Sequence, residues 1–244
     1  MWNNMKGPPA RDEDVMLGQQ APGADSLRAR GAATPPVQPP HQLLPEPAVR
    51  VVYAVPADRP VNAAYRQGIS NALTDLQRWY REQLDGLTFR LQDPLPETCT
   101  MPEPHEHYTH GGWPRVWNEV RDAVIGCGFL DQQSAYTWVV YADVDESCDV
   151  TLGLGRGSEG LTMMGSWDLK GLTDQEWVHC GLGPFGFGRW IGGAGHELGH
   201  AFGLDHPIDD EGALMSAGYA GYPNTYLRED EKAILRMSPF FEER

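Results

Sequence analysis

No apolar run in this 244-residue chain approaches the roughly 18 residues that a membrane-crossing helix needs, so no membrane span is expected. Basic residues are scarce, 19 against 34 acidic ones, and the net charge is −15. That balance argues against nucleic acid or an anionic membrane as the main partner, because both attract clustered Lys and Arg. Met1 to Gly18 lacks the apolar middle region of a secretory signal, so no leader is visible. No GxSxG occurs, which leaves a serine-hydrolase elbow without support. The four cysteines, Cys99, Cys127, Cys148 and Cys180, contain no CxxC pair, which weakens any thiolate zinc site. They allow three pairings if the compartment is oxidising; two disulfides and four reduced thiols are both open. Nothing in the sequence bears on oligomeric state. The length and a hydrophobic content of 41% are enough for one sizeable core with a polar appendage.

That appendage is the start of the chain. Residues 1–47 hold many of the prolines, including Pro35, Pro36, Pro39 and Pro40, with few aromatics and little periodicity, and read as disordered or extended. The fold begins with the β-branched run Val49 to Val55, a strand. Pro60 is placed to open a helix in which Tyr65, Ile69, Leu73, Leu76, Tyr80 and Leu84 recur at helical spacing, and Gly86 ends it. Leu87, Phe89 and Leu91 alternate as a second strand, followed by a polar, proline-rich loop to Gly112. Pro114 opens a second helix with Val116, Trp117, Val120 and Val124 on one face and Gly126 as its stop. Tyr136 to Val144 is a buried strand; Gly153 to Gly160 is a flexible glycine-rich loop; Leu161 to Asp168 is a further short strand. A C-terminal helix over Leu227 to Met237, with Pro239 as terminator, closes an α+β fold whose sheet carries two packing helices.

The stretch with chemistry in it is Gly195 to His206, GHELGHAFGLDH, which fills every fixed position of HExxHxxGxxH. His196 and His200 stand four apart on a helix and therefore share a face, so two imidazoles can reach one ion. Glu197 beside the first histidine is placed to touch a water rather than the metal, which makes it the candidate general base. Gly203 sits where the helix must stop if His206 is to return as a third ligand. Three histidines with an open fourth position are the catalytic form of zinc coordination. The helix is poor by propensity, since Gly192, Gly193, Gly195 and Gly199 each cost about 1 kcal/mol relative to alanine. Something beyond intrinsic preference must hold it.

These residues resemble the metzincin clan of zinc metallopeptidases, tightly over about Trp190 to Tyr222. Ala213-Leu214-Met215-Ser216 is similar to the methionine turn that metzincins carry beneath the zinc, with Met215 as its methionine. The pattern looks matrixin-like: Tyr219, four after Met215, matches the tyrosine that walls the pocket for the residue after the scissile bond, and Tyr222 is a second candidate. Pro207 after the third histidine is instead similar to serralysins, and Ala217 stands where serralysins and astacins place a zinc-linked tyrosine. The resemblance implies one catalytic domain, with an upper subdomain over 48–206 that includes the zinc helix and a lower one over 207–244. It implies a single catalytic zinc, a protein or peptide substrate with an apolar preference after the cut, and a secreted or extracellular setting. Leu161 to Asp168 resembles the edge strand above a metzincin cleft, where an extended peptide adds as one more strand, so Leu161 and Met163 are expected to touch substrate. In metzincins the N-terminal segment often blocks the zinc. No cysteine lies in residues 1–47 to do so, which leaves Asp12, Asp14 or Asp25 as an aspartate block beside the plainer reading of a tail.

The implied reaction is zinc-dependent endopeptidase hydrolysis, and the alternative is a zinc-containing module that binds peptide without cutting it. Other motifs carry less. His105, His107 and His110 could hold a second metal but fit a solvated loop. The acidic cluster Asp143 to Asp149 could take calcium, yet its spacing does not fit an EF-hand loop. Gly181 to Gly186 satisfies GxGxxG, but Thr173 to Cys180 before it is not the buried strand that dinucleotide binding requires.

Overall fold

The structure, a computed structural model, describes residues 45–131, 135–145, 152–173, 186–207 and 209–244. Most of the proline-rich segment, with Asp12, Asp14 and Asp25, lies outside the described residues, as do Cys148, Cys180, the acidic Asp149 and almost all of Gly181 to Gly186.

Strand β1 (Ala48–Val55) is a buried interior strand of the main sheet. It pairs in parallel with β3 (Glu97–Thr100) on one side and with β4 (Tyr136–Ala142) on the other. Beyond β4 lies the parallel strand β6 (Leu161–Met164), and β5 (Leu154–Arg156) closes that edge antiparallel to β6. The order is β3-β1-β4-β6-β5. A central strand with parallel neighbours is buried on both faces, which is why β1 reads as an unbroken apolar run. Val49, Val51, Tyr53 and Val55 enter one core, and Val52 and Ala54 enter the other.

Each core is completed by a helix. α1 (Ala63–Gln83) packs Ile69, Leu73, Leu76 and Tyr80 on the first face. Its start is set by Asn62, whose side-chain oxygen accepts from the Ala64 and Tyr65 amides, a cap worth about 1 kcal/mol. Pro60 lies outside the helix it was expected to open. α2 (Trp113–Gly126) packs Val116, Trp117, Val120 and Val124 on the second face. A disulfide between Cys99 and Cys127, with Cα atoms 5.8 Å apart, ties β3 to the end of α2. The result is a mixed, mainly parallel sheet with helices on both faces.

Two strands depart from expectation. β2 (Leu87–Phe89) leaves the main sheet and pairs antiparallel with β7 (Phe241–Glu243), which follows the C-terminal helix α5 (Glu229–Met237). The strand expected over Leu161 to Asp168 ends at Met164, and α3 (Ser166–Gly171) follows it. That strand is interior; the glycine-rich β5 holds the edge instead.

Helix α4 (Phe187–Ala201) lies on the same face as α1. Its glycines answer to close neighbours. A Cβ added at Gly192 would stand 2.0 Å from the Tyr219 carbonyl oxygen, and one at Gly199 would stand 2.3 Å from the Met215 sulfur. The propensity lost to glycine is offset by packing that a larger residue would forbid.

Candidate metal centre

α4 carries His196 and His200 on one face, and the way it ends delivers His206. Gly203 has φ +93°, a conformation that glycine takes without a Cβ clash. The Gly203 amide donates to the His200 carbonyl and the Leu204 amide to the Gly199 carbonyl, at 2.9 and 3.0 Å. This pair is the Schellman closure of a helix, and it turns the chain back across the histidine face. Leu204 then presents its own carbonyl to His200 Nδ1 at 2.7 Å. One turn thus ends the helix, orients the second histidine and returns the third.

The three Nε2 atoms converge. His196 and His206 stand 3.1 Å apart, His200 and His206 3.1 Å, and His196 and His200 3.2 Å. Among the described residues this is the one group of three or more His, Cys, Asp or Glu gathered closely enough to hold a metal. Proton placement gives the contact its meaning. His196 Nδ1 lies 2.8 Å from the Leu214 carbonyl, as His200 Nδ1 does from that of Leu204, and a carbonyl only accepts. Both Nδ1 atoms therefore donate, and the neutral rings turn bare lone pairs toward one another. Lone pairs at 3.2 Å repel unless a cation lies among them. Burial pushes His196 down to about 4, with its histidine neighbours and Arg189 adding to the shift and the Leu214 bond opposing it. His200 is lowered too, first by burial. Both are neutral at physiological pH, the form that ligates. Zinc bound to nitrogen at about 2.0–2.1 Å in a tetrahedron separates its ligands by about 3.3–3.4 Å, so spacing and donor set fit.

Burial pushes the Glu197 carboxyl up to about 8, while the Gly155 amide holds it down. The Gly155 N–H donates to Glu197 Oε2 at 2.6 Å. Strand β5 approaches α4 so closely that a Cβ at Gly155 would stand 1.8 Å from the Glu197 carbonyl oxygen. Neither the edge strand nor its bond to Glu197 was expected from the sequence. The glycine spacing in Gly153 to Gly160 was the available signal, since glycine in a strand marks close backbone approach.

Around the cluster, Met215 is fully buried beneath Gly199, in a turn where the Ser216 amide donates to the Ala213 carbonyl at 3.0 Å. The Tyr219 ring packs 5.0 Å from that of His196, and the Arg189 guanidinium lies 4.5 Å over Tyr219. Leu161 and Met163 are not brought to the site: alternation along β6 sends them into the core under α2, at 3% and 0% exposure. The same alternation turns Thr162 toward α4, where its hydroxyl donates to the Glu197 carbonyl. Tyr222 is likewise drawn away, its hydroxyl donating to Asp75 on α1 at 2.8 Å. His105 pairs with Asp58 and His107 with Glu119, so those histidines do not converge. Asp143 and Asp145 both pair with Arg59.

No protein-family description matches this sequence, and no curated protein does. Solved structures do match. Wild-type OgpA from Akkermansia muciniphila aligns with a TM-score of 0.59 at 17% identity, over 82% of this chain and 63% of its own. Catalytically inactive OgpA, solved with an O-glycopeptide (glycodrosocin) substrate, aligns with a TM-score of 0.60 at 16% identity, over 81% and 62%. The archaemetzincin of Methanopyrus kandleri aligns at 0.43 and 14% identity, over 80% and 98%. The fold is thus shared with OgpA, and this chain spans less than two thirds of the OgpA chain.

Proposed function

We propose that this chain is a zinc metallopeptidase of metzincin type that hydrolyses internal bonds of extended polypeptides. The observation that carries the reading is the convergence of three Nε2 atoms at 3.1–3.2 Å, two of them with the proton held on the far nitrogen. The shared fold with OgpA, a protein solved with a glycopeptide substrate, supports a peptide as the ligand.

His196, His200 and His206 hold the zinc. Bound there, the ion supplies Lewis acidity that polarises a scissile carbonyl and makes water easier to deprotonate. Glu197 takes the proton of the attacking water and passes it to the departing amine as the C–N bond breaks, so the proton removed from one atom is returned to another. The Gly155 amide keeps the Glu197 carboxylate aimed while it does so. Met215 and its turn serve as the methionine turn, and Tyr219 walls the pocket for the residue after the cut. The Cys99–Cys127 disulfide supports work in an oxidising, extracytoplasmic compartment.

The test is Glu197→Gln, assayed on a mixed peptide library with and without a chelator. The variant should keep one zinc per chain and lose cleavage by about 100-fold or more. Undiminished cleavage, or cleavage indifferent to chelation, would overturn the mechanism. Peptide capture without any cleavage by the unaltered protein would favour a binding module.

A further inference from the structure

We infer that Thr162, on β6, is a positioning residue for the general base: its buried hydroxyl seats the main chain of Glu197 so that the carboxylate is held on the Gly155 amide in one orientation. The inference rests on the peptidase reading, with Glu197 as the base.

Gly155 and Thr162 are direct partners across the antiparallel β5–β6 ladder. Opposed residues share a face of the sheet and stand about 4.5–5.5 Å apart, and here that face is turned to α4. On it the two residues meet Glu197 together. A Cβ at Gly155 would stand 1.8 Å from the Glu197 carbonyl oxygen, so that oxygen occupies the place a side chain would take. The Thr162 hydroxyl donates to the same oxygen at 3.0 Å. The Gly155 amide donates to the carboxylate of the same residue, at Oε2, across 2.6 Å. Both ends of Glu197 are thus held by one cross-strand pair, the main chain by a hollow and a hydroxyl, the side chain by an amide.

The Thr162 bond is additional to what the helix requires. Within α4 the Glu197 carbonyl has its ladder partner four residues on, at Ala201, where the helix ends. What the hydroxyl adds is a fixed distance between that carbonyl and the strand pair, and hence between the Gly155 amide and the carboxylate. Thr162 has no exposed surface, so water does not replace the donor when it is removed. The metal ligands are oriented from elsewhere: His196 by the Leu214 carbonyl and His200 by that of Leu204. Loss of the Thr162 hydroxyl should therefore separate the base from the metal.

The test compares wild type, Thr162→Val, which is nearly isosteric and cannot donate, and Thr162→Ser, which keeps the donor, all as the full zinc-loaded chain. In Thr162→Val, kcat should fall about 10- to 100-fold with KM and zinc affinity unchanged, and Thr162→Ser should stay within about threefold of wild type. In a Glu197→Gln background Thr162→Val should cost nothing further, because the group it positions is gone. A second readout does not need activity. By NMR hydrogen exchange the Gly155 amide should exchange about tenfold faster or more in Thr162→Val, with the other β5 amides unchanged.

An unchanged kcat in folded Thr162→Val, an equal fall in zinc affinity, a full further loss in the Glu197→Gln background, or uniform acceleration along β5 would each overturn the inference. Should Thr162→Val fail to fold, Thr162→Ala takes its place. Failure of both while Thr162→Ser folds would assign the hydroxyl to stability and overturn the positioning role. Should wild type cleave nothing, the peptidase reading fails separately. Exchange at Gly155 then decides the seat, an amide indifferent to Thr162→Val overturning it.

Discussion

His196 Nδ1 donates to the main-chain carbonyl of Leu214 across 2.8 Å. The first proposed ligand is thereby oriented by the residue immediately before Met215, whose sulfur fills the hollow at Gly199, one turn further along the ligand helix. Turn and helix support each other beneath the three histidines, so loading the site with zinc should stabilise more than the three rings. Thermal melting with zinc and with chelator should differ by several degrees or more, since free ligand at about a thousand times Kd stabilises by roughly 4 kcal/mol. Identical melting would show that no metal is held by the folded state.

Gly203→Ala isolates the return of His206. The added Cβ meets nothing within 4 Å, so its cost is the φ of +93° alone, about 1–2 kcal/mol. Relief of that strain would move the Leu204 carbonyl from His200 and shift His206, and zinc affinity should fall about 10- to 100-fold. Competition with a chromogenic chelator measures it; unaltered affinity would mean that the helix stop does not position the ligands.

Asp168 offers a pH dependence with a definite sign. Burial raises its carboxyl from 3.8 to about 6, with Arg189 opposing. Because the folded value lies above the unfolded one, the favourable contribution is complete below about 3.8 and is lost as pH rises through about 6. Asp168→Asn keeps an acceptor for the Gly165 amide and removes the penalty. In the metal-free protein the variant should gain of order 2–3 kcal/mol over wild type at pH 7–8, with little gain near pH 4. Urea unfolding at both pH values checks it; a difference independent of pH would refute the assignment.

The disulfide spans 28 positions in sequence, and in the chain-entropy account closing a loop of that size is worth about 3–4 kcal/mol. Cys99→Ala with Cys127→Ala should lower unfolding stability by that order while leaving the zinc content of the folded protein at one per chain. The bond lies between β3 and α2, on the face of the sheet away from α4. Loss of zinc from the folded double variant would contradict that separation.

What could be read from the sequence was what local spacing dictates. His196 and His200 share a face by helical period, Gly203 stops the helix because left-handed backbone favours it, and β1, β4, α1 and α2 declare themselves by unbroken or periodic apolar runs. The edge of the sheet could not be read this way. β5 is three residues containing a glycine, a strand only because β6 pairs with it and α4 leaves no room for a side chain at Gly155. β3 sits within a proline-rich stretch and gains its geometry from β1. Leu161 and Met163 alternate as an edge strand would, and alternation does not say how many neighbours a strand has.

The central claim is that three imidazoles of this chain hold one zinc. X-ray absorption at the zinc edge on the purified protein, with His206→Ala as control, tests it most directly. The account predicts one zinc per chain with three histidine nitrogens at about 2.0–2.1 Å, reduced to two in the variant. A protein that binds no zinc, or one whose zinc is held by sulfur and unchanged in His206→Ala, would contradict it.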